Sequence, residues 1–585
     1  MTSLELSDDE KKETARKRLQ ELCENPCSED LIDVCVTEED QEFIKNHRFP
    51  DGTKVREENI EFEITNNEWY SSLLDKYNKL QETVKQNIPS LWDSLEFEIS
   101  VQKILNIKDC TLPFAGIVLG MPSSLKTVGI EMFRKWKQSF YTDNFSAKCF
   151  VSHSTAVKRE ELEKIDLLPR MKNKFFLTPE LSPTFTKKDD DLVEILGILT
   201  RVLDGQGYES DTGAHGHRGY NGEHMFTWVG AAVDVPYKVH KHLGNLGAKL
   251  YFLRLPSIEK DEDEYLEEIK KDDFLTRTKL IRDALIDYLE WFEKRPDATK
   301  ENDITKISWN FEKDDEQTKR FIVRLGRLLA HLRGVVTTWK TDDNESQGIN
   351  YAYATATVEE PNRAIRQLTN LARGHALSQG RNYIGENDIS LVIKVVLSTA
   401  STERIRVFQT LLNFGGALTT TQISDYLDFA RPTARRTMTE LKAIGLVNIE
   451  TVQGDHGGEP MYQMILDDKF EWFLSDEFKK LKEDSHRKKF SPLLPENNIQ
   501  NCIVQDEGQG GYFSYSGIPN IAYDKSLLLN SVIPGSIDIS VNSNGNNELL
   551  KCPECKFKNI HPETIEHHIK YKHKAEEESK EITIK

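Results

Sequence analysis

Cysteine is scarce in this chain, with eight in 585 residues, and so few thiols over such a length exclude a disulfide-stapled scaffold. Only Cys552 and Cys555 stand at a spacing with chemical meaning, and the other six are expected as free thiols. Long hydrophobic runs are missing as well. No stretch approaches the roughly 18 uninterrupted apolar residues of a membrane helix, and "MTSLELSDDEKKETARKRL" has no positively charged leader followed by an apolar segment. A soluble, intracellular, cytoplasmic protein with no membrane contact is the expectation. Positive charge is in deficit: 77 Lys and Arg stand against 96 Asp and Glu, a net charge of −19 with a pI near 5.4. That balance excludes a protein that coats nucleic acid indiscriminately, so contact with DNA has to come from local basic patches. No segment repeats at a fixed period, which removes the solenoid architectures.

What the chain does have is enough apolar content, 38%, to fill three or four cores of ordinary size. Residues 1 to about 65 are acidic and broken, and "NNEWYSSLLDKYNKLQETVKQNI" with "LWDSLEFEISVQKIL" predicts helices leading into a first strand. From Pro113 to Pro256 short apolar runs (AGIVLG, AKCFVS, NKFFLT, MFTWVGAA, AKLYFLRL) alternate with helical or glycine-rich segments. This is the pattern of a parallel sheet covered by helices. Charged, helix-spaced sequence fills 257–340, and 485–550 is rich in Asn, Gly and Ser, as a linker with short strands would be.

The stretch "GIVLGMPSSLKTVGIEMF" (116–133) reads as a strand, a small-residue loop and a helix. From Gly120 the spacing matches GxxxxGK[ST] except that Leu125 occupies the second glycine position. Gly120, Pro122, Ser123 and Ser124 supply a tight loop whose backbone N–H groups can wrap a phosphate, Lys126 an ammonium for the terminal phosphates, and Thr127 a hydroxyl for Mg2+. ATP with Mg2+ is the expected ligand. If Leu125 must take a positive φ, its side chain opposes that by roughly 1–3 kcal/mol; otherwise the loop is a variant with ordinary φ there. An acid on a neighbouring strand is also required. In "KNKFFLTPEL" Glu180 follows the apolar run, preceded by Pro179 rather than aspartate, and Asp189, Asp190 and Asp191 are alternative metal partners.

Next comes "DGQGYESDTGAHGHRGYNGEHMFTWVGAA", a glycine-rich hairpin segment carrying His215, His217 and Arg218. This order of loop, acid strand, inserted hairpin and further strand resembles the AAA+ ATPases, in particular the pre-sensor hairpin subgroup with the minichromosome-maintenance and superfamily-three helicases. The resemblance implies a hexameric ring, a homo-oligomer, in which the hairpin grips nucleic acid with His215, His217 and Arg218 at its tip. It further implies Thr227 as the polar sensor and Lys249 or Arg254 as the residue reaching a neighbour's nucleotide. "EPNRAIRQLTNLARGHALSQGRNYIGENDISLVIKVV" is similar to the helical lid of those enzymes, with Arg363 as the arginine touching the γ-phosphate; most of the segment is expected as core, with Arg366 or Arg373 simply solvated.

"LTTTQISDYLDFARPTARRTMTELKAIGLVNIETVQGDHGGEPMYQMIL" reads as a winged helix: Thr420 or Thr421 starts one helix, "DFARP" turns, and Arg431, Arg435 and Arg436 lie near the start of a second helix suited to DNA phosphates. At the end, "CPECKFKNIHPETIEHHIKYKH" resembles a two-cysteine, two-histidine zinc finger, with Cys552, Cys555, His568 (or His567) and His573 as Zn2+ ligands. Lys556, Lys558 and Lys570 would face a phosphate backbone. The expected organisation is an acidic helical accessory region (1–105), an α/β P-loop ATPase core (106–256), a helical insertion and lid (257–400), an α-helical winged helix-turn-helix with a β wing (401–468), a linker (469–550) and a ββα finger (551–575). The expected function is that of an ATP-dependent, DNA-associated helicase or translocase of replication, the alternative a non-enzymatic DNA-binding regulator with a degenerate ATPase fold.

Overall fold

The computed structural model describes residues 57–153, 158–213, 216–257, 261–270, 273–341, 350–454, 458–487, 550–551 and 558–559. Contacts divide the chain into two units, Met1–Ile503 and Val504–Lys585.

In the first unit, α1 (Glu57–Asn87) and α2 (Trp92–Ile104) precede β1 (Phe114–Leu119), which runs through a loop into α3 (Lys126–Met132). Then come β2 (Ser139–Tyr141), β3 (Phe175–Thr178), α4 (Asp189–Val202), the hairpin of β4 (Gly207–Thr212) and β5 (Gly216–Asn221), β6 (Thr227–Ala232), α5 (Tyr237–Leu246) and β7 (Leu250–Arg254). Beyond these lie α6 (Phe274–Phe292), α7 (Glu316–Leu332), a hairpin of β8 (Thr338–Thr341) and β9 (Asn350–Tyr353), α8 (Asn362–Ser378) and α9 (Ile389–Val396). The unit continues with α10 (Thr402–Asn413), β10 (Ala417–Thr419), α11 (Thr420–Leu427), α12 (Arg431–Ala443), β11 (Val447–Gly454), β12 (Gly458–Leu466) and α13 (Asp476–Arg487).

Five strands form one parallel sheet in the order β2-β3-β6-β1-β7. β1, β3 and β6 are buried at every position, which is why they read as continuous apolar runs: a parallel sheet is covered on both faces. Alternate side chains divide between two cores. Phe114, Val118, Phe175, Leu177, Val229 and Tyr251 join the core shared with α2 and the later helices, whereas Ala115, Ile117, Leu119, Phe176, Trp228 and Phe252 pack with Leu192, Ile195, Leu196 and Leu199 of α4.

The expected boundary after residue 105 does not separate two bodies. α2 is buried around nearly its whole circumference, with Glu98 and Lys103 both 0% exposed, because it is wedged between the sheet and α8. Burial pushes the Glu98 carboxyl up to about 8, against one hydrogen bond from Ser94, and the Lys103 ammonium down to about 7, against the attraction of Glu293. The expected linker also begins too early. Residues 469–487 fold back as a 3-10 turn and α13, because the aromatic run around Phe470, Phe473 and Phe478 is buried in the main core.

Strands β10, β12 and β11 make a three-stranded antiparallel sheet with β12 in the middle. α11 starts at Thr420, one of the two expected starts, because Thr419 and Gln422 cap each other reciprocally. It ends at Asp428 in the left-handed region (φ 55), and Pro432 sits in the first turn of α12. The buried pair of Arg404 and Glu440, 2.9 Å apart, ties α10 to α12. In the second unit Leu550–Lys551 pairs antiparallel with Lys558–Asn559. Among the described residues no helix is long and apolar enough to cross a membrane, and Cys110 and Cys149 are free.

Candidate functional site

The loop after β1 resolves the question raised by Leu125. Leu125 takes φ 64, ψ 7 and Ser123 takes φ 67, so the backbone adopts left-handed turns without a glycine to permit them. Each such residue costs on the order of 1–3 kcal/mol. Leu125 recovers part of this by packing against the main core. Left-handed residues interspersed in a loop turn successive N–H groups toward one concavity, the geometry that holds anions. Gly120 is required for a second reason: a β-carbon there would lie 2.3 Å from the Ser124 hydroxyl, which is itself buried without a partner among the described residues. Lys126 is 6% exposed and donates back to the Met121 carbonyl at 3.3 Å, so its ammonium lies over the loop. Thr127 opens α3 beside it and donates weakly, at 3.5 Å, to the Pro179 carbonyl after β3. Pro122 and Ser123 are exposed.

Sheet register decides which other residues share this end. Leu119 pairs with Ala232 and with Arg254, which places Asp234 and Arg254 beside Gly120 at the C-terminal edge. Arg254 donates to Asp234 at 2.8 Å and to the Thr402 hydroxyl at 2.9 Å. Asp234 was not anticipated; an acidic residue two positions after the buried strand in "TWVGAAVD" is the signal. Glu180 also lies at this edge, two residues past β3, but one carboxylate oxygen accepts the Ser182 amide at 2.8 Å, so part of its capacity caps a short helix. Asp189, Asp190 and Asp191 are exposed in the first turn of α4, where Lys238 reaches Asp189 at 3.3 Å.

Three expected site residues lie elsewhere. Thr227 pairs with Phe114 at the opposite end of the sheet, roughly 16 Å from the loop at about 3.3 Å per strand residue; its buried hydroxyl has no partner among the described residues. Lys249 directly precedes β7, at that same far end, and is 2.6 Å from Asp204. Arg363 is 2.8 Å from the same carboxylate. Partial burial works to raise the Asp204 carboxyl, but Lys249 and Arg363 hold it below its ordinary value. Arg363 and Lys249 are thus mutually tied through Asp204, and neither faces the loop.

The inserted hairpin is present between α4 and β6. His217 is exposed, and its ring lies 3.2 Å from Asp211 and 3.3 Å from Glu209. Asp211 and then Glu209 raise its pKa, yet the two carboxylates outweigh its charge, which makes it a poor phosphate ligand. Arg218 is half-buried opposite Ser210, and His215 lies outside the described residues.

On α12, Arg435 stacks over Tyr462 at 5.4 Å, and with Arg431 and Lys442 it shares one stripe of the helix. Arg436 does not: it points to Glu403 at 2.6 Å and to Glu440 at 3.7 Å. The finger residues Cys552, Cys555, His568 and His573, with Lys556 and Lys570, lie outside the described residues, and Lys558 is placed only by its backbone pairing with Lys551. Among the described residues no group of three or more His, Cys, Asp or Glu side chains is placed to hold a metal ion.

The fold and the loop define a parallel α/β unit with a strained loop at its C-terminal edge. The sequence matches no known protein family and no curated protein. Among solved structures it is similar to the C-terminal region of NrS-1 in an apo form, at 10% identity and a TM-score of 0.19 over 66% of this chain and 76% of that one. That likeness is too slight to assign a fold or an activity.

Proposed function

We propose that the chain is an ATP-dependent, DNA-associated ATPase of the AAA+ type, acting as a ring-forming helicase or translocase in replication. What carries this reading is the backbone of the loop, where Ser123 and Leu125 are both held left-handed immediately before Lys126. Strain at two non-glycine residues in one loop is expected where a ligand uses the conformation. The loop also lies at a switch point: the connection from β1 leads toward β2 on one side, and that from β6 leads to β7 on the other. Crevices at such points are where open α/β sheets bind ligands. In this reading the β and γ phosphates lie against the loop amides and Lys126, Thr127 meets Mg2+, Glu180 orients the attacking water, and Arg254 and Asp234 border the crevice. The stripe of α12 and a zinc-bound finger are the DNA handles.

The cap that Glu180 makes on Ser182 favours a second reading, a nucleotide switch that binds without rapid turnover. Phosphate release with and without single-stranded DNA separates the two. A wild-type rate that falls about a hundredfold or more in Glu180→Gln supports the motor; nucleotide binding with no turnover supports the switch.

A further inference from the structure

At the end of the sheet opposite the loop, the segment 109–112 leading into β1 faces one side of α8 across a cleft of about 620 Å3. Its walls are polar. Asn370 is 5% exposed and lines the cleft. Arg373 is 8% exposed, with its guanidinium 5.1 Å from the Trp309 ring and 4.7 Å from the Phe311 ring. One of its nitrogens donates to Asp109 at 3.2 Å, while its Nε is buried with no partner among the described residues. Arg366, exposed and one turn before Asn370, completes the line and has no ion-pair partner among the described residues.

Asn362, Arg366, Asn370 and Arg373 follow one face of α8 at helical spacing, a polar track about 16 Å long at 1.5 Å per residue. Beside it, the Phe311 ring is 55% exposed. The base of the β4–β5 hairpin abuts the same wall: Gly205, at φ 73, leaves only 2.7 Å between a would-be β-carbon and the Thr111 carbonyl.

We propose that this cleft binds a single strand of nucleic acid. Successive phosphates lie on Arg366 and on Arg373 as the half-exposed Asp109 turns aside, Asn370 bonds the backbone, and a base stacks on Phe311. Two observations favour a strand over a free phosphate: the track is longer than one phosphate needs, and an exposed aromatic beside a guanidinium is the pairing that holds unstacked bases. The inference stands apart from the nucleotide loop, which is at the other end of the sheet.

The test is fluorescence anisotropy of a labelled oligothymidylate with the full chain, in the absence of nucleotide, so that failure leaves the loop reading intact. Phe311→Ala weakens binding about fivefold or more. Arg366→Gln weakens it and lowers the slope of log K against log salt by about 0.7. Both side chains are exposed, so the variants keep the wild-type melting profile. Thymidine monophosphate and inorganic phosphate do not displace the oligonucleotide. The proposal is overturned if the wild type binds no oligothymidylate, if a variant combining Phe311→Ala with Arg366→Gln binds with wild-type affinity and slope, or if thymidine monophosphate displaces the strand at equal phosphate concentration.

Discussion

At Leu125 a β-carbon works against the backbone that carries it, and the side chain partly compensates by packing on the core. Two terms of similar size therefore oppose each other. Leu125→Gly relieves a left-handed strain of about 1–3 kcal/mol and gives up burial of about 1–3 kcal/mol, so unfolding by denaturant is expected to stay within about 1 kcal/mol of wild type. A much larger loss would mean that packing, and not a phosphate cradle, fixes the loop. The pattern GxxxxxKT is legible in the sequence, and so is the cost at Leu125, because both are local. The pairing of Asp204 with Lys249 and Arg363 is not, since the partners are 45 and 159 positions apart; lysine and arginine residues assigned to nucleotide by their order along the chain turn out to serve that carboxylate. Of Arg366 and Arg373, either of which the sequence allows as solvated, Arg373 is buried for the same reason: Trp309 and Phe311 reach it from another helix connection.

Among elements, the strands are legible because burial on both faces leaves unbroken apolar runs, and α11 because its cap is written into four residues. α2 misleads: buried nearly all round, it lacks the amphipathic stripe that marks a helix on a core, and so it reads as accessory. Its attachment to α8 is electrostatic as well as apolar. His375 lies 2.7 Å from Asp388 and 3.6 Å from Glu96 of α2; burial works to lower its pKa, but the hydrogen bond it donates to Asp388 and the neighbouring Glu96 carboxylate push it up to about 9. A folded value above the unfolded one near 6.5 contributes stability that is fully present below about pH 6.5 and is lost as pH rises through about 9. The stability gap between wild type and His375→Gln is therefore expected to be largest below pH 6.5 and to close toward pH 9 in urea titrations. On α12, replacing Arg431 and Arg435 with Gln should lower the salt slope of duplex DNA binding by about 2, at roughly 0.9 per phosphate contact. Arg436→Gln, removed from the stripe by its acidic partners, should leave that slope unchanged. An equal effect from all three would contradict the geometry.

At the scale of the molecule, the chain carries a net charge of −19, and its second unit, Val504–Lys585, has its own contacts. Zinc bound by Cys552, Cys555, His568 and His573 would fold that unit locally. Cys552→Ser is accordingly expected to release one equivalent of zinc while the thermal transition of the first unit stays in place; a zinc-free wild type would remove the finger. The central claim is that the strained loop at the C-terminal edge of the sheet holds the phosphates of ATP. Equilibrium binding of a fluorescent ATP analogue with Mg2+ tests it most directly, comparing wild type, Leu125→Gly and Lys126→Ala. Binding by wild type and by Leu125→Gly, with a loss of at least about tenfold in a folded Lys126→Ala, is the expected result. A wild type that binds no nucleotide, or a Lys126→Ala that binds as well as wild type, would contradict it.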